Sequence, residues 1–311
     1  MKLFDLHCDT ATRLYAERAS LAENAFHISL EKAAAYRKYV QLTAVFTDET
    51  LSDEDGWKRF GEVRQYLEEE AESNMIPFIR TAGELADFDR SDKKTAFILT
   101  VEDARILNGR LERVKELYDC GVRVITPLWG GETIIGGSHD TEDGLTPFGR
   151  EAVAEMVRVG IIPDISHASF RSADEIMDIC EEAGVSPIAT HMNSYAVRAH
   201  SRNLTDERFL RLTRLGGIAG VSLCLHHLTG ESDVSAETVA RHFRQYETLA
   251  PGHAAFGCDY DGTDVPPDLS NVGRLPKMAE TLASCGMTED AIDAIFYGTA
   301  LSFMTAHLPK K

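Results

Sequence analysis

The chain has 311 residues, 43% of them hydrophobic, which is ample for a full core, and its 50 acidic against 32 basic side chains leave a net charge of −18. Such a surface repels nucleic acid and anionic membranes, and no apolar run reaches the ~18–20 residues that cross a bilayer. Neither partner is expected. Six cysteines (Cys8, Cys120, Cys180, Cys224, Cys258 and Cys285) include no CxxC pair and read as reduced thiols of a cytoplasmic protein. The opening MKLFDLHCDT enters a strand directly, so no secretory leader is expected.

In chain order, short apolar runs at 3–8, 40–46, 96–101, 122–128, 161–165, 187–190, 218–223 and 254–257 predict eight strands. Amphipathic stretches at 54–73, 111–120, 149–159, 172–183, 206–215 and 236–249 predict helices between them. Thr205 and Ser235 offer N-caps for the last two, and a helical pair over 274–284 and 288–306 closes the chain. The charged stretch 87–94 reads as a solvated loop and the glycine-rich 133–145 as a long mobile one. Eight alternating units imply a parallel sheet, and eight strands close a barrel whose strands are apolar on both faces. No glycine-rich phosphate loop follows the first strand, which weighs against an open doubly wound sheet. The expected architecture is an α/β (β/α)8 TIM barrel, one domain over 1–311.

The polar residues fall where barrel chemistry is done. His7 and Asp9 end the first strand, Glu102 the third, His167 the fifth, His191 the sixth and Asp259 the eighth. Parallel barrel strands finish on one face, so these six side chains converge on one mouth. Three imidazoles and three carboxylates form a ligand set suited to zinc. Singly each has a plain structural reading. His-x-Asp recurs by chance, His167 could be a satisfied loop histidine, His191 could cap a turn, and Glu102 could start a helix near the favourable dipole. Jointly these readings require each residue to reach a strand end by coincidence.

The motifs also resemble those of the membrane (renal) dipeptidase family, peptidase family M19, over nearly the whole length. Asp5-Leu6-His7-Cys8-Asp9-Thr10 is similar to its N-terminal metal motif and Thr100-Val101-Glu102 to the strand with its bridging glutamate. The stretch 144–149 (GLTPFG) resembles one that precedes its fourth helix. Asp164-Ile165-Ser166-His167 and Thr190-His191 resemble its later metal histidines, Ser201-Arg202-Asn203 its carboxylate-binding arginine, and 257–262 (GCDYDG) its aspartate turn. The resemblance implies two zinc ions per chain: His7 and Asp9 on one, His167 and His191 on the other, Glu102 between them. It implies a dipeptidase in which a hydroxide bridging the metals attacks a small dipeptide. Asp259 would move the proton or hold the ammonium, and Arg202 would clamp the terminal carboxylate. A homodimer is the implied assembly.

Three departures qualify the substrate. Where the family carries a histidine after the fourth strand, this chain has Trp129, whose indole lines the substrate site but has one N–H and no cationic form. His139 and His200 are the candidates to replace that donor, each with a plain reading as an exposed loop residue. After strand seven the chain reads Ser222-Leu223-Cys224-Leu225-His226-His227. Adjacent histidines on extended backbone face opposite ways and make poor joint ligands. The asparagine-bearing motif near the end is altered to Tyr297-Gly298-Thr299-Ala300. Two alternatives follow: a metal-dependent amidohydrolase acting on a non-peptide amide or N-acyl amino acid, and a binding protein that keeps a catalytically decayed barrel. Burying three carboxylates together without cations argues against the second.

Overall fold

The computed structural model describes residues 1–47 and 50–310. Seven parallel strands form one curled sheet: β1 (Lys2–Cys8), β2 (Lys38–Phe46), β3 (Thr95–Glu102), β4 (Val124–Thr126), β5 (Ile162–Pro163), β6 (Ala219–Val221) and β7 (Ala254–Phe256). Their order is β5-β4-β3-β2-β1-β7-β6. Two bridges close the ring, Asp164 with Ile188 after β5 and Ala189 with Ala219 of β6. The strand expected at 187–190 is therefore present only as single-residue bridges between the two sheet edges. Pro187 has no N–H to give a ladder. At the other end the Thr190 carbonyl is wedged against Gly220 and Gly257, where a Cβ at either position would overlap its oxygen.

The barrel interior is a plug built by six of the strands, by the closing segment and by the residue just before β6: Phe4 and Leu6, Val40 and Leu42, Ala96 and Ile98, Val124, Ile162, Ile188, Ile218 and Ala255. Tyr297, Ala300, Phe303 and Met304 pack against it from the C-terminal segment. A larger apolar cluster, with Leu3, Cys8, Tyr39, Val45, Leu99, Val101 and Ile125, lies between the strands and the helices. Alternation along β3 puts Ala96 and Ile98 in the plug and carries Glu102 to the inner face at the strand's end. In β1 the phase slips once. The register to β2 shifts between Asp5 and Cys8, so Phe4 and Leu6 belong to the plug while Cys8 packs outward beside Leu3. This bulge turns His7 and Asp9 toward the mouth.

Most helices lie where the hydrophobic period puts them. Thr205 and Ser235 cap Asp206–Arg214 and Ala236–Leu249. The first helix, Thr10–Glu17, was not anticipated, and the charged stretch 87–94 is helical up to Arg90, as the end of Ala82–Arg90 with a Thr81/Glu84 capping box. The final pair is split into Lys277–Ser284, Glu289–Asp293, a π turn at Ala294–Gly298 and Thr299–His307. The stretch 133–145 is pinned rather than loose, by bridges Glu132 to Gly137, Gly136 to Leu145 and Ser138 to Ala168. All six cysteines are free, four of them buried. Among the described residues no helix is long and apolar enough to cross a membrane.

The wedge at Thr190 gives a measurable expectation. Gly257→Ala should force the 187–191 backbone outward and lower stability by about 1–3 kcal/mol, the usual cost of overpacking. A urea denaturation midpoint unchanged from the parent would show that the closure is not tight.

Candidate metal centre

Five chain segments deliver the six residues singled out above to one point. Asp9 occupies the N-cap position of Thr10–Glu17, but its side chain makes no capping bond and is left for the site. His167 and Asp259 both sit in the left-handed region, at φ 66° and 62°, a strained geometry that is typical of functional turns. Next to Asp259, Asp261 accepts hydrogen bonds from the Thr10 hydroxyl (2.6 Å) and the His27 N–H (2.7 Å), tying the turn after β7 to the first helix. Gly262 follows because a Cβ there would overlap Asp9 Oδ2.

Glu102 is the centre of the cluster. Its Oε1 lies 2.8 Å from His167 Nε2 and 3.4 Å from His191 Nε2. Its Oε2 lies 3.4 Å from His7 Nε2, which is itself 3.4 Å from Asp9 Oδ2 and 3.9 Å from Asp259 Oδ1. One carboxylate thus presents one oxygen to the His167/His191 pair and the other to the His7/Asp9 pair. Three sets have donor atoms close enough to share an ion: Glu102 with His167 and His191, His7 with Asp9 and Glu102, and His7 with His191 and Asp259.

Hydrogen bonds behind the rings settle which nitrogen faces the centre. His167 Nδ1 lies 2.9 Å from the Trp129 carbonyl, which can only accept, so Nδ1 carries the proton. Thr190 donates its one hydroxyl proton to Asp164 Oδ2 (2.5 Å) and therefore accepts from His191 Nδ1 (2.8 Å). Asp164 is held in turn by the Thr126 hydroxyl and by the backbone N–H groups of Ser166 and Thr190. Both Nε2 lone pairs then point at one another across 2.9 Å, beside a carboxylate oxygen. A shared proton or a metal ion makes that juxtaposition favourable. His7 Nε2 and Asp9 Oδ1 are likewise buried without a hydrogen-bond partner among the described residues.

The electrostatics agree. Burial opposes the charge of Glu102, but His7 and the edges of the two neighbouring imidazoles hold it well below the usual carboxylate range. Burial likewise opposes the charge of His7, and Glu102 and Asp9 override it and push the imidazole well up. Asp9 is raised to about 6 by burial and by Glu102. Asp259 is raised well above its ordinary value by burial, with Asp9 and Glu102 adding to it against His7. Crowded carboxylates driven toward protonation, next to lone pairs without partners, are what divalent cations relieve. The donor set of imidazole nitrogens and carboxylate oxygens fits zinc.

A cavity of about 700 Å³ opens over these residues, lined also by Phe46, Trp129, His139, Arg202, Cys224, His227 and Asp261. Trp129 lies across one wall, its ring 5.0 Å from Phe46 and 6.1 Å from His167. Arg202 is 1% exposed, with Nε and Nη1 free of hydrogen-bond partners among the described residues. His139 is brought back over the site, its N–H donating to the His167 carbonyl at 2.7 Å. His200 does not line the cavity; its Nδ1 accepts the backbone N–H of Arg202 at 3.1 Å. His226 and His227 lie on a helical turn, Leu225–Leu228, not on extended backbone, and only His227 faces the cavity. Asp164, Asp261, Phe46 and the Trp129 carbonyl went unforeseen as contributors. Asp164 stands inside a motif already quoted, and its spacing from His167 was the available signal.

The model of the membrane dipeptidase family (peptidase family M19) matches residues 1–307. An uncharacterized protein in the pqqA 5′ region of Klebsiella pneumoniae is 29% identical over 221 residues, 67% of this chain and 80% of that protein. An uncharacterized dipeptidase of Schizosaccharomyces pombe is 25% identical over 269 residues, 80% of this chain and 64% of its own length. Among solved structures, a metallopeptidase of family M19, dipeptidase AC, superposes with a TM-score of 0.90 at 22% identity, covering 100% of this chain and 99% of that one. A metallopeptidase from Rhodobacter sphaeroides, liganded with a phosphinate mimic of the dipeptide L-Ala-D-Ala, gives 0.89 at 22% identity and covers 99% of each chain. These superpositions show that the chain shares the α/β barrel fold of those two proteins.

The relay behind His191 generates its own test. Thr190→Val removes the acceptor of Nδ1–H while keeping the shape. Metal affinity, measured by competition with a chromophoric chelator, should fall by about 10–100-fold, as for other groups that orient a ligand. An unchanged affinity would mean that Thr190 does not orient the ring.

Proposed function

Because the chain belongs to the membrane dipeptidase family, peptidase family M19, we propose that it is a zinc-dependent dipeptidase holding two zinc ions. His7 and Asp9 would hold one ion, His167 and His191 the other, and Glu102 would bridge them. The observation that carries this reading is the split of Glu102, one oxygen toward each pair. Ions held there would supply Lewis acidity to a water and to a scissile carbonyl.

The remaining roles fall to side chains of the cavity. Asp259, 9% exposed at the rim of the cluster, is placed to take a proton from the nucleophile and return it to the leaving amine. Its raised affinity for protons suits that task. Arg202 presents unpartnered N–H groups that fit a terminal carboxylate in the planar two-bond manner. Trp129 and Phe46 form an apolar wall that excludes water and favours a flat or apolar group beside the reacting bond. That indole, standing where the family has a histidine, also favours a second reading, hydrolysis of an N-acyl amino acid or other non-peptide amide. Parallel rate measurements on dipeptides and N-acyl amino acids separate the two.

Elemental analysis after zinc repletion should approach two equivalents per chain, and a plateau at one overturns the dinuclear reading. Glu102→Gln should weaken both sites together, whereas His7→Ala should empty one first.

For the clamp, Arg202→Ala and amidation of the substrate's C-terminus should each lower kcat/KM by at least about tenfold, the worth of one charged hydrogen-bonding pair. The two losses should not add, since both delete the same interaction. Additive losses would assign Arg202 to another task.

A further inference from the structure

Beside the acidic centre, one wall of the cavity carries hydrogen-bond donors in excess. Arg202 has two nitrogens without partners among the described residues, and its Nη2 reaches only the His191 carbonyl, at 3.5 Å. His139 and His227 line the cavity next to it. His200 stands between them, its ring 6.4 Å from His139 and 5.0 Å from His227. It braces the backbone of Arg202 through Nδ1. Asp140 lies on the exposed rim of this side and accepts the Gly131 N–H at 2.9 Å, while Asp259 and Glu102 are the acids that act on the guanidinium itself. A dipeptide's α-carboxylate takes the parallel N–H pair of one guanidinium. That leaves at least one N–H on each of the two imidazoles, which a neutral ring supplies without being charged. In a chain of net charge −18, a buried guanidinium flanked by such donors is a local attractor for anions.

We propose that the preferred substrate is a dipeptide whose C-terminal residue is aspartate or glutamate. Its α-carboxylate is held by Arg202 and its side-chain carboxylate by His139 and His227. This rests on the dipeptidase reading above and names its substrate class. The two rings lie in the field of Arg202. After burial, that guanidinium is the largest influence lowering both, and His139 is brought down to about 3. His139 is fixed in place, its backbone on the His167 carbonyl and its Nδ1 3.4 Å from Ser201 Oγ. On the His139 side the subsite is therefore preformed.

The test compares each acid with its own amide, so that shape is held constant. The zinc-loaded protein should cleave Ala-Glu and Ala-Asp at least about tenfold more efficiently than Ala-Gln and Ala-Asn, the discrimination expected of one charge-assisted contact. In the His139→Ala/His227→Ala double variant that ratio should fall toward one, whatever happens to turnover itself. The His139→Gln/His227→Gln variant keeps an N–H on each side chain and should retain part of the ratio. Calorimetric titration with succinate, which is aspartate without its amino group, and with succinamate reads the same wall without turnover. Succinate should bind about tenfold tighter to the parent and lose that margin in the alanine variant. Equal rates for acids and amides, or a preference that survives the alanine variant, overturns the proposal. If no dipeptide is cleaved at all, the dipeptidase reading fails, and the succinate titration still decides the subsite.

Discussion

Glu102 carries a charge that the interior of a protein tolerates only under strict conditions. It is 3% exposed, with three imidazoles against it and two further carboxylates close by. An unpaired ion in such surroundings costs several kcal/mol, so the geometry around it has to be held from outside. Each histidine whose partner is visible is fixed from behind by a group that cannot move independently. The Trp129 carbonyl follows β4 directly, and the Thr190 to Asp164 link spans two neighbouring strand ends. The apolar plug below keeps this polar layer dry. The order of layers, hydrocarbon at the floor, Thr126, Asp164 and Thr190 above it, ligands at the top, lets one barrel be both a core and a reaction vessel.

The cavity over this layer is polarised. Asp9, Asp259 and Asp261 gather on the side of β1 and β7, whereas Arg202, His139 and His227 come from the connections after β4, β6 and the closing segment. A zwitterionic ligand therefore meets a field that orients it before any contact is optimised. The apolar pair Phe46 and Trp129 lowers the local dielectric along one wall of the cavity.

Much of this was legible from residue order because two periodicities are strong. Runs of apolar residues marked the strands, and alternation along β3 is enough to bring Glu102 inward after Ala96 and Ile98. The strand ends were readable for the same reason, since the first polar residues after an apolar run sit at the mouth. What stayed hidden depends on partners distant in the chain. The closing segment at 187–190 looks like a strand but pairs through single residues, because its neighbours' glycines let the Thr190 carbonyl sit too close for a regular ladder. The glycine-rich stretch at 133–145 looks loose by composition, and its order comes from backbone bonds to residues 167 and 168. The Trp129 carbonyl has no local signature, because a hydrogen bond to the back of a ring is a tertiary fact, and Asp164 has only its spacing from His167. His226 and His227 were read on extended backbone, yet that segment turns helical after Cys224.

The bulge in β1 has a consequence for how such a protein can change over time. Below it, the inward residues Phe4 and Leu6 belong to the plug, and above it the inward residues are His7 and Asp9. One extra residue separates these two duties. Straightening the strand at constant length would leave its composition intact while exchanging the inward and outward sets beyond that point, so that Cys8 faced the mouth and His7 and Asp9 faced the helices. Point substitutions in this strand erode the centre by degrees. A deletion of Leu6 would instead restore plain alternation, with Phe4, His7 and Asp9 inward, and remove one residue from the plug. The bulge thus lets one strand give Leu6 to the plug and the very next residue, His7, to the mouth, which regular alternation at the same length does not allow.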